Sequence, residues 1–219
     1  MIIALEGVDG AAKATQSKLL SDRFNAEGTK ASVLSFPTYE TETGKLLKAI
    51  LRGDLELHSM ATPAGPGHKY CDGQSVQHAR ALQAIMTLNR YENFERIRSV
   101  PYNEVIVLDR YWLSAVAYGI SDGLDEKWLI DIHRALPEPD IWFYLDISVE
   151  ESFKRRPIRE DVYESSVSRL NTVRGVYQRH FSSPENRTYH EKSLFVQLDG
   201  SLSRQDVHTR IWNTVNELL

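Results

Sequence analysis

The feature that most constrains this chain lies in its first 24 residues. Ile2-Ile3-Ala4-Leu5-Glu6 is a short apolar run rich in β-branched residues, Gly7-Val8-Asp9-Gly10-Ala11-Ala12-Lys13-Ala14-Thr15 follows, and an apolar-periodic segment with Leu19, Leu20 and Phe24 comes next. This order predicts strand, loop, helix. A lysine closing a glycine-rich turn at a helix start suits phosphate, because successive backbone N–H groups and the helix N-terminus surround phosphate oxygens. Gly7, Gly10, Ala11, Ala12, Lys13, Ala14 and Thr15 are therefore candidate ATP-binding residues, with Lys13 an exposed charge aimed at the β- and γ-phosphates. Two positions depart from G-x-x-x-x-G-K-[ST]. Ala12 stands where a second glycine is expected, and its Cβ is expected either to crowd the nucleotide or to demand a φ angle that glycine tolerates better. Ala14 replaces the hydroxyl residue that usually binds Mg²⁺, which leaves a water or Thr15 for that ligand position.

The same alternation recurs. Strands are predicted at Ala31 to Phe36, Val105 to Asp109, Ile141 to Ile147 and Leu194 to Leu198, with helices at Gly44 to Leu51 and from Tyr111 to Tyr118. Five short apolar strands separated by helical segments, with no hairpin signature between them, predict an α/β fold: a five-stranded parallel sheet covered by helices on both faces. Ligands in such sheets bind beyond the carboxyl ends of the strands, which puts Gly7, Phe36 and Asp109 on one crevice. A stretch at 58–75, with Pro63, Gly65, Pro66, Gly67 and Gly73 and no periodicity, reads as a long inserted loop.

A chain of 219 residues, 42% of them apolar, can bury one substantial core, so residues 1–219 are expected to form a single domain. The net charge of -4 lacks the basic excess of a nucleic-acid binder, so the expected partners are small molecules and not nucleic acid. The lone cysteine, Cys71, excludes an internal disulfide and fits a reducing cytoplasm. No targeting signal is visible, and no apolar run approaches the roughly 20 residues that span a bilayer, so no membrane association is expected. The seven histidines show neither i,i+4 pairing nor a cysteine partner, and the four tryptophans are read as core or interface residues.

Six collinear motifs carry a resemblance. Leu5-Glu6-Gly7-Val8-Asp9-Gly10 with Thr15-Gln16, Phe36-Pro37-Thr38-Tyr39, Glu42 to Leu47, Asn89-Arg90-Tyr91-Glu92, Asp109-Arg110-Tyr111 with Ser114 and Ala117-Tyr118, and Leu136 to Asp140 resemble, in order, the signatures of the thymidylate kinase family. The resemblance covers residues 2 to 164, with an echo at Leu198-Asp199-Gly200. It implies transfer of the ATP γ-phosphoryl group to dTMP with Mg²⁺, in a homodimer.

By the same resemblance Asp9 works where sugar, phosphate and metal meet, and Arg110 grips the acceptor phosphate, as an arginine fork at a strand end is suited to do. Asp109 either orients Arg110 or reaches Mg²⁺ through water. Arg90 lies near the acceptor, and Phe36, Tyr39, Ser114 and Tyr118 line its base and sugar pocket. Met86 stands where the family commonly stacks a phenylalanine on thymine, Ala115 stands beside Ser114, and Thr38 replaces a frequent basic residue. These departures keep a kinase for a modified or different pyrimidine deoxynucleotide as an alternative. Ala12 and Ala14 keep open a non-catalytic nucleotide-binding protein. The segment 154–164 falls where the family has its lid, with Tyr163 near its end a candidate substrate-binding residue, and Arg155, Arg156 and Arg159 are the expected suppliers of positive charge that the phosphate loop lacks.

Overall fold

In the computed structural model, residues 1–55, 76–156, 166–182 and 193–219 are described. The elements run β1 (Ile2–Glu6), α1 (Lys13–Ala26), β2 (Ala31–Ser35), α2 (Glu42–Arg52), α3 (Val76–Tyr91), α4 (Phe94–Arg98), β3 (Val105–Asp109), α5 (Trp112–Ser121), α6 (Glu126–His133), β4 (Ile141–Asp146), α7 (Val149–Arg155), α8 (Val167–Ser182), β5 (Leu194–Asp199) and α9 (Arg204–Asn216). All five expected strands form, within a residue or so of their predicted ends. The expected 58–75 loop lies outside the described residues.

The sheet order is β2-β3-β1-β4-β5, and every pairing is parallel. β1 sits at the centre, with Leu5 in register with Asp109 on one side and Phe143 on the other. That position explains its composition: a strand with neighbours and helices on all sides needs a continuous apolar run, and Ile3, Ala4 and Leu5 are fully buried. The β1-to-β2 connection runs one way along the sheet and the β4-to-β5 connection the other. Right-handed crossovers therefore place their helices on opposite faces. α1 and α9 pack together on one side, while α5 and α8 form a second packed pair.

Because β1 and β4 are neighbours whose outgoing connections diverge, their loops part at the carboxyl edge and leave a crevice. Local capping sets where several flanking helices begin. Thr41, Asp125, Ser148 and Ser203 each accept a backbone N–H in the first turn of α2, α6, α7 and α9. α5 is different, because its cap comes from far along the chain.

Candidate active site

The loop after β1 is shaped by two glycines. Gly7 has φ +149°, and a Cβ there would fall 2.7 Å from the Leu145 carbonyl oxygen, so the close approach of β1 and β4 admits no side chain. Gly10, at φ +77°, sits over Ser152 of α7, whose hydroxyl donates to the Asp9 carbonyl at 2.5 Å. Ala12 adopts the left-handed conformation, φ 65° and ψ 23°, at the N-cap of α1. The angle expected to suit glycine is thus present although an alanine occupies it, at a cost of about 1 to 2 kcal/mol.

A cavity of about 860 Å³ opens above the carboxyl ends of β1, β2 and β3. Gly10, Ala12, Lys13, Ala14 and Thr15 line it from the loop, whereas Gly7 and Ala11 are buried beneath and shape the turn. Lys13 corrects an expectation. It is 5% exposed, not an open surface charge, and its ammonium donates to the Val8 carbonyl at 2.9 Å.

Arg110 follows β3 in the left-handed conformation, φ 63°. Its backbone N–H donates to the Leu5 carbonyl at 3.0 Å, and the next residue, Tyr111, donates its N–H to Glu6 Oε1 at 2.8 Å. Ser114 N–H donates to the same oxygen at 3.2 Å. Glu6 therefore caps α5 from the neighbouring strand, where Tyr111 offers no side-chain cap of its own. Its other oxygen accepts from the hydroxyls of Ser114 at 2.6 Å and Tyr177 at 2.9 Å. Burial pushes the Glu6 carboxyl above its ordinary range, against these four donors and the Arg110 charge.

So held, Arg110 turns its guanidinium over the Tyr118 ring, 5.8 Å from its centroid, within 3.3 Å of the Gly7 carbonyl and 3.9 Å of Asp9 Oδ1. Arg156, just past α7, donates to the same Asp9 oxygen at 2.9 Å. Asp109 accepts from Ser35 Oγ at 3.4 Å and faces the same cavity. Two arginines thus meet one carboxylate beside the phosphate loop, and a second carboxylate lines the same cavity.

The remaining wall belongs to β2, α3 and α5. Phe36, Tyr39, Met86, Ser114, Ala115 and Tyr118 all line it. Ser114 faces the cavity, but its hydroxyl is taken up by Glu6 and Tyr177, which makes it a link in the cap and not an open donor. Arg90, 4% exposed, donates to the carbonyls of Met86 at 2.7 Å and Tyr111 at 2.8 Å and lies over the Phe36 ring. Burial draws its pKa down to about 10, which leaves it charged at neutral pH. Asn89 accepts the Thr38 N–H at 2.8 Å and so holds the Phe36–Thr38 turn in place.

Of the expected lid arginines, Arg156 alone among the described residues reaches the phosphate loop's carboxylate. Arg155 points its guanidinium at the carbonyls of Gly200 (2.9 Å), Ser201 (3.3 Å) and Gly10 (3.4 Å) and pairs with Glu151. It ties the loops after β1 and β5 to α7, a use the lid pattern did not suggest. Arg159 and Tyr163 lie outside the described residues. Sequence reasoning also passed over Glu6 and Gln83 as site residues. An acid ending a fully apolar strand was the available signal for Glu6. Gln83 had none, since one glutamine on a helix is common.

The donor set suits a hard cation. Asp9 and Asp109 offer carboxylate oxygens at the cavity, and Mg²⁺ is commonly held by one or two carboxylates together with substrate phosphates and water. Among the described residues no group of three or more His, Cys, Asp or Glu side chains gathers as a metal site. No helix among them is long and apolar enough to cross a membrane.

Fold and site together define a phosphate-loop phosphotransferase of the α/β class. The thymidylate kinase family model matches residues 5–63 and 70–211, and the chain belongs to that family. A probable thymidylate kinase of Thermococcus kodakarensis is 36% identical over 158 residues, 71% of this chain and 70% of the relative. The thymidylate kinase of Schizosaccharomyces pombe is 26% identical over 219 residues, 99% of this chain and 92% of its own. The solved thymidylate kinase of Candida albicans superposes with a TM-score of 0.74 over 99% of this chain and 91% of its own. At 23% identity that likeness speaks for the fold.

Proposed function

We propose that this chain transfers the γ-phosphoryl group of ATP to dTMP, giving dTDP, within a single kinase domain that works as a homodimer in the cytoplasm. One observation carries the reading: Asp9, Arg110 and Arg156 converge on one point between the phosphate loop and the Arg90–Phe36 wall. ATP places its phosphates on the loop amides and the Lys13 ammonium. Arg110 grips the acceptor phosphate and aims one of its oxygens at the γ-phosphorus. That oxygen forms a new P–O bond as the bond to the β-phosphate oxygen breaks, and ADP leaves with the electron pair. Asp9 holds Arg110 and Arg156 in line, and Arg156 faces the charge that spreads over the transferring group. Mg²⁺, held by Asp9 and Asp109 with Thr15 nearby, would neutralise phosphate charge when bound.

A second reading, a kinase for a different or modified pyrimidine deoxynucleotide, is favoured by Met86 and Ala115 in the acceptor wall. A thioether covers a base face with less shape selectivity than a ring. A coupled assay with ATP, Mg²⁺ and a panel of deoxynucleoside monophosphates tests both. The highest kcat/KM should fall on dTMP. A better pyrimidine would establish the second reading, and no transfer to any of them would overturn the kinase assignment.

A further inference from the structure

We infer that Gln83 reads the Watson–Crick edge of the acceptor base and is the specificity-determining residue for a lactam-type pyrimidine. The inference rests on the proposed acceptor pocket and goes beyond it by assigning a reader that the family motifs do not contain.

Gln83, Met86 and Arg90 lie at i, i+3 and i+7 of α3, so they share one helix face, and all three line the cavity. Gln83 is 2% exposed, and its carboxamide oxygen is buried with no hydrogen-bond partner among the described residues. Arg90 Nε is in the same condition, although the other guanidinium nitrogens are engaged with Met86 and Tyr111. A buried amide oxygen without a donor costs about 1 to 3 kcal/mol, so two orphaned polar atoms on one face of a ligand cavity mark where a ligand's polar edge belongs.

Their chemistry fixes what that edge is. Arg90 can only donate, so the group opposite Nε must be an acceptor. A carboxamide can turn over, and on the helix face it shares with this pure donor it can present its oxygen to a ligand group that donates. Acceptor beside donor is the C4=O and N3–H pair of thymine and uracil. Cytosine presents the reverse, an amino donor at C4 and an acceptor at N3, and would leave Arg90 facing an N–H. The opposite wall offers little help, since Ala115 has no polar group and the Ser114 hydroxyl is committed to Glu6 and Tyr177. Met86, between the two polar residues on the helix, covers the ring face.

The test compares kcat/KM for dTMP, N3-methyl-dTMP and dCMP in the wild type and in Gln83→Leu, which keeps side-chain volume and removes the acceptor. The wild type should prefer dTMP to both analogues. Gln83→Leu should lower kcat/KM for dTMP about tenfold or more, the cost of leaving N3–H unpaired, and change the N3-methyl analogue little, so the ratio between them collapses. Gln83→Glu keeps an acceptor oxygen and should hold that ratio within about threefold of wild type. An unchanged ratio in Gln83→Leu would mean steric rejection of the methyl group, and would overturn the inference while leaving the kinase reading intact. Should Gln83→Leu not fold, the wild type decides alone: equal use of dTMP and its N3-methyl analogue overturns the inference. A wild type that does not phosphorylate dTMP at all removes both readings.

Discussion

The two sides of the cavity are built by different means. On the phosphate-loop side the working surface is mostly main chain, arranged by Gly7 and Gly10 and by the start of α1, and it keeps its shape with alanine at position 12. The opposite side, proposed to take the acceptor, rests on buried side chains that depend on one another. Glu6 holds Tyr111, Ser114 and Tyr177 across sequence separations of 105 to 171 residues, and Asn89 holds the Phe36–Thr38 turn across 51. A backbone site tolerates substitution so long as the dihedrals can be reached, at a small energetic cost. A side-chain network has no such latitude, because removing one member strands the donors of the others.

The largest expected effect probes the loop side at the one side chain it cannot do without. Lys13→Ala should lower kcat by at least about 10³-fold, roughly 4 kcal/mol in the barrier. Unchanged turnover in that variant would sink the phosphate-loop assignment, and a circular-dichroism melt separates loss of chemistry from loss of fold. Next comes the acceptor side. Glu6→Ala should destabilise the protein by about 3 kcal/mol, read by denaturant unfolding, since it uncaps α5 and leaves the buried N–H groups of Tyr111 and Ser114 without their acceptor. It should also raise the KM for the monophosphate more than that for ATP, through the lost aim of Arg110. A variant with ATP affinity alone affected would reverse the contrast between the two sides.

Acid should act on the acceptor side as well. His133 is hydrogen-bonded to Leu129 O and, on α3 beside Met86, to Thr87 Oγ1. Burial, helped by the Arg90 charge, draws its pKa from 6.5 down to about 3. The unfolded chain therefore binds a proton that the folded one does not, and stability is lost as pH falls from about 6.5 toward 3. Between pH 6.5 and 4.5 the loss should be roughly 2.5 kcal/mol at about 1.4 kcal/mol per unit. His133→Gln should flatten the stability profile over that window, and an unaltered slope would show that another group titrates there. The smallest effect returns to the loop. Ala12→Gly relieves a left-handed alanine and should stabilise the protein by about 1 kcal/mol, visible as a rise of a few degrees in Tm. A fall in Tm would mean that the Cβ of Ala12 makes contacts worth more than the strain.

Much of this molecule was legible before any coordinates. The five strands could be read from apolar β-branched runs because burial on both faces leaves a local compositional mark. The phosphate loop could be read because φ and ψ demands fall on glycine and its substitutes. What escaped were orientations. Arg155 and Arg156 are adjacent and chemically identical, yet one ties the loops after β1 and β5 to α7 and the other meets Asp9. Ser114 lines the cavity, but its hydroxyl is directed by a glutamate 108 residues away.

The sequence by itself determined the strand–loop–helix alternation, the parallel sheet it implies and the family the motifs belong to, since these follow from periodicity and turn chemistry within a few residues of one another. Only the tertiary structure decided which side chains face the ligand and which hold the others in place. That outcome depends on how β1, β3, α3, α5 and α8 close on a shared interior, where each buried donor must find an acceptor from whatever element lies opposite.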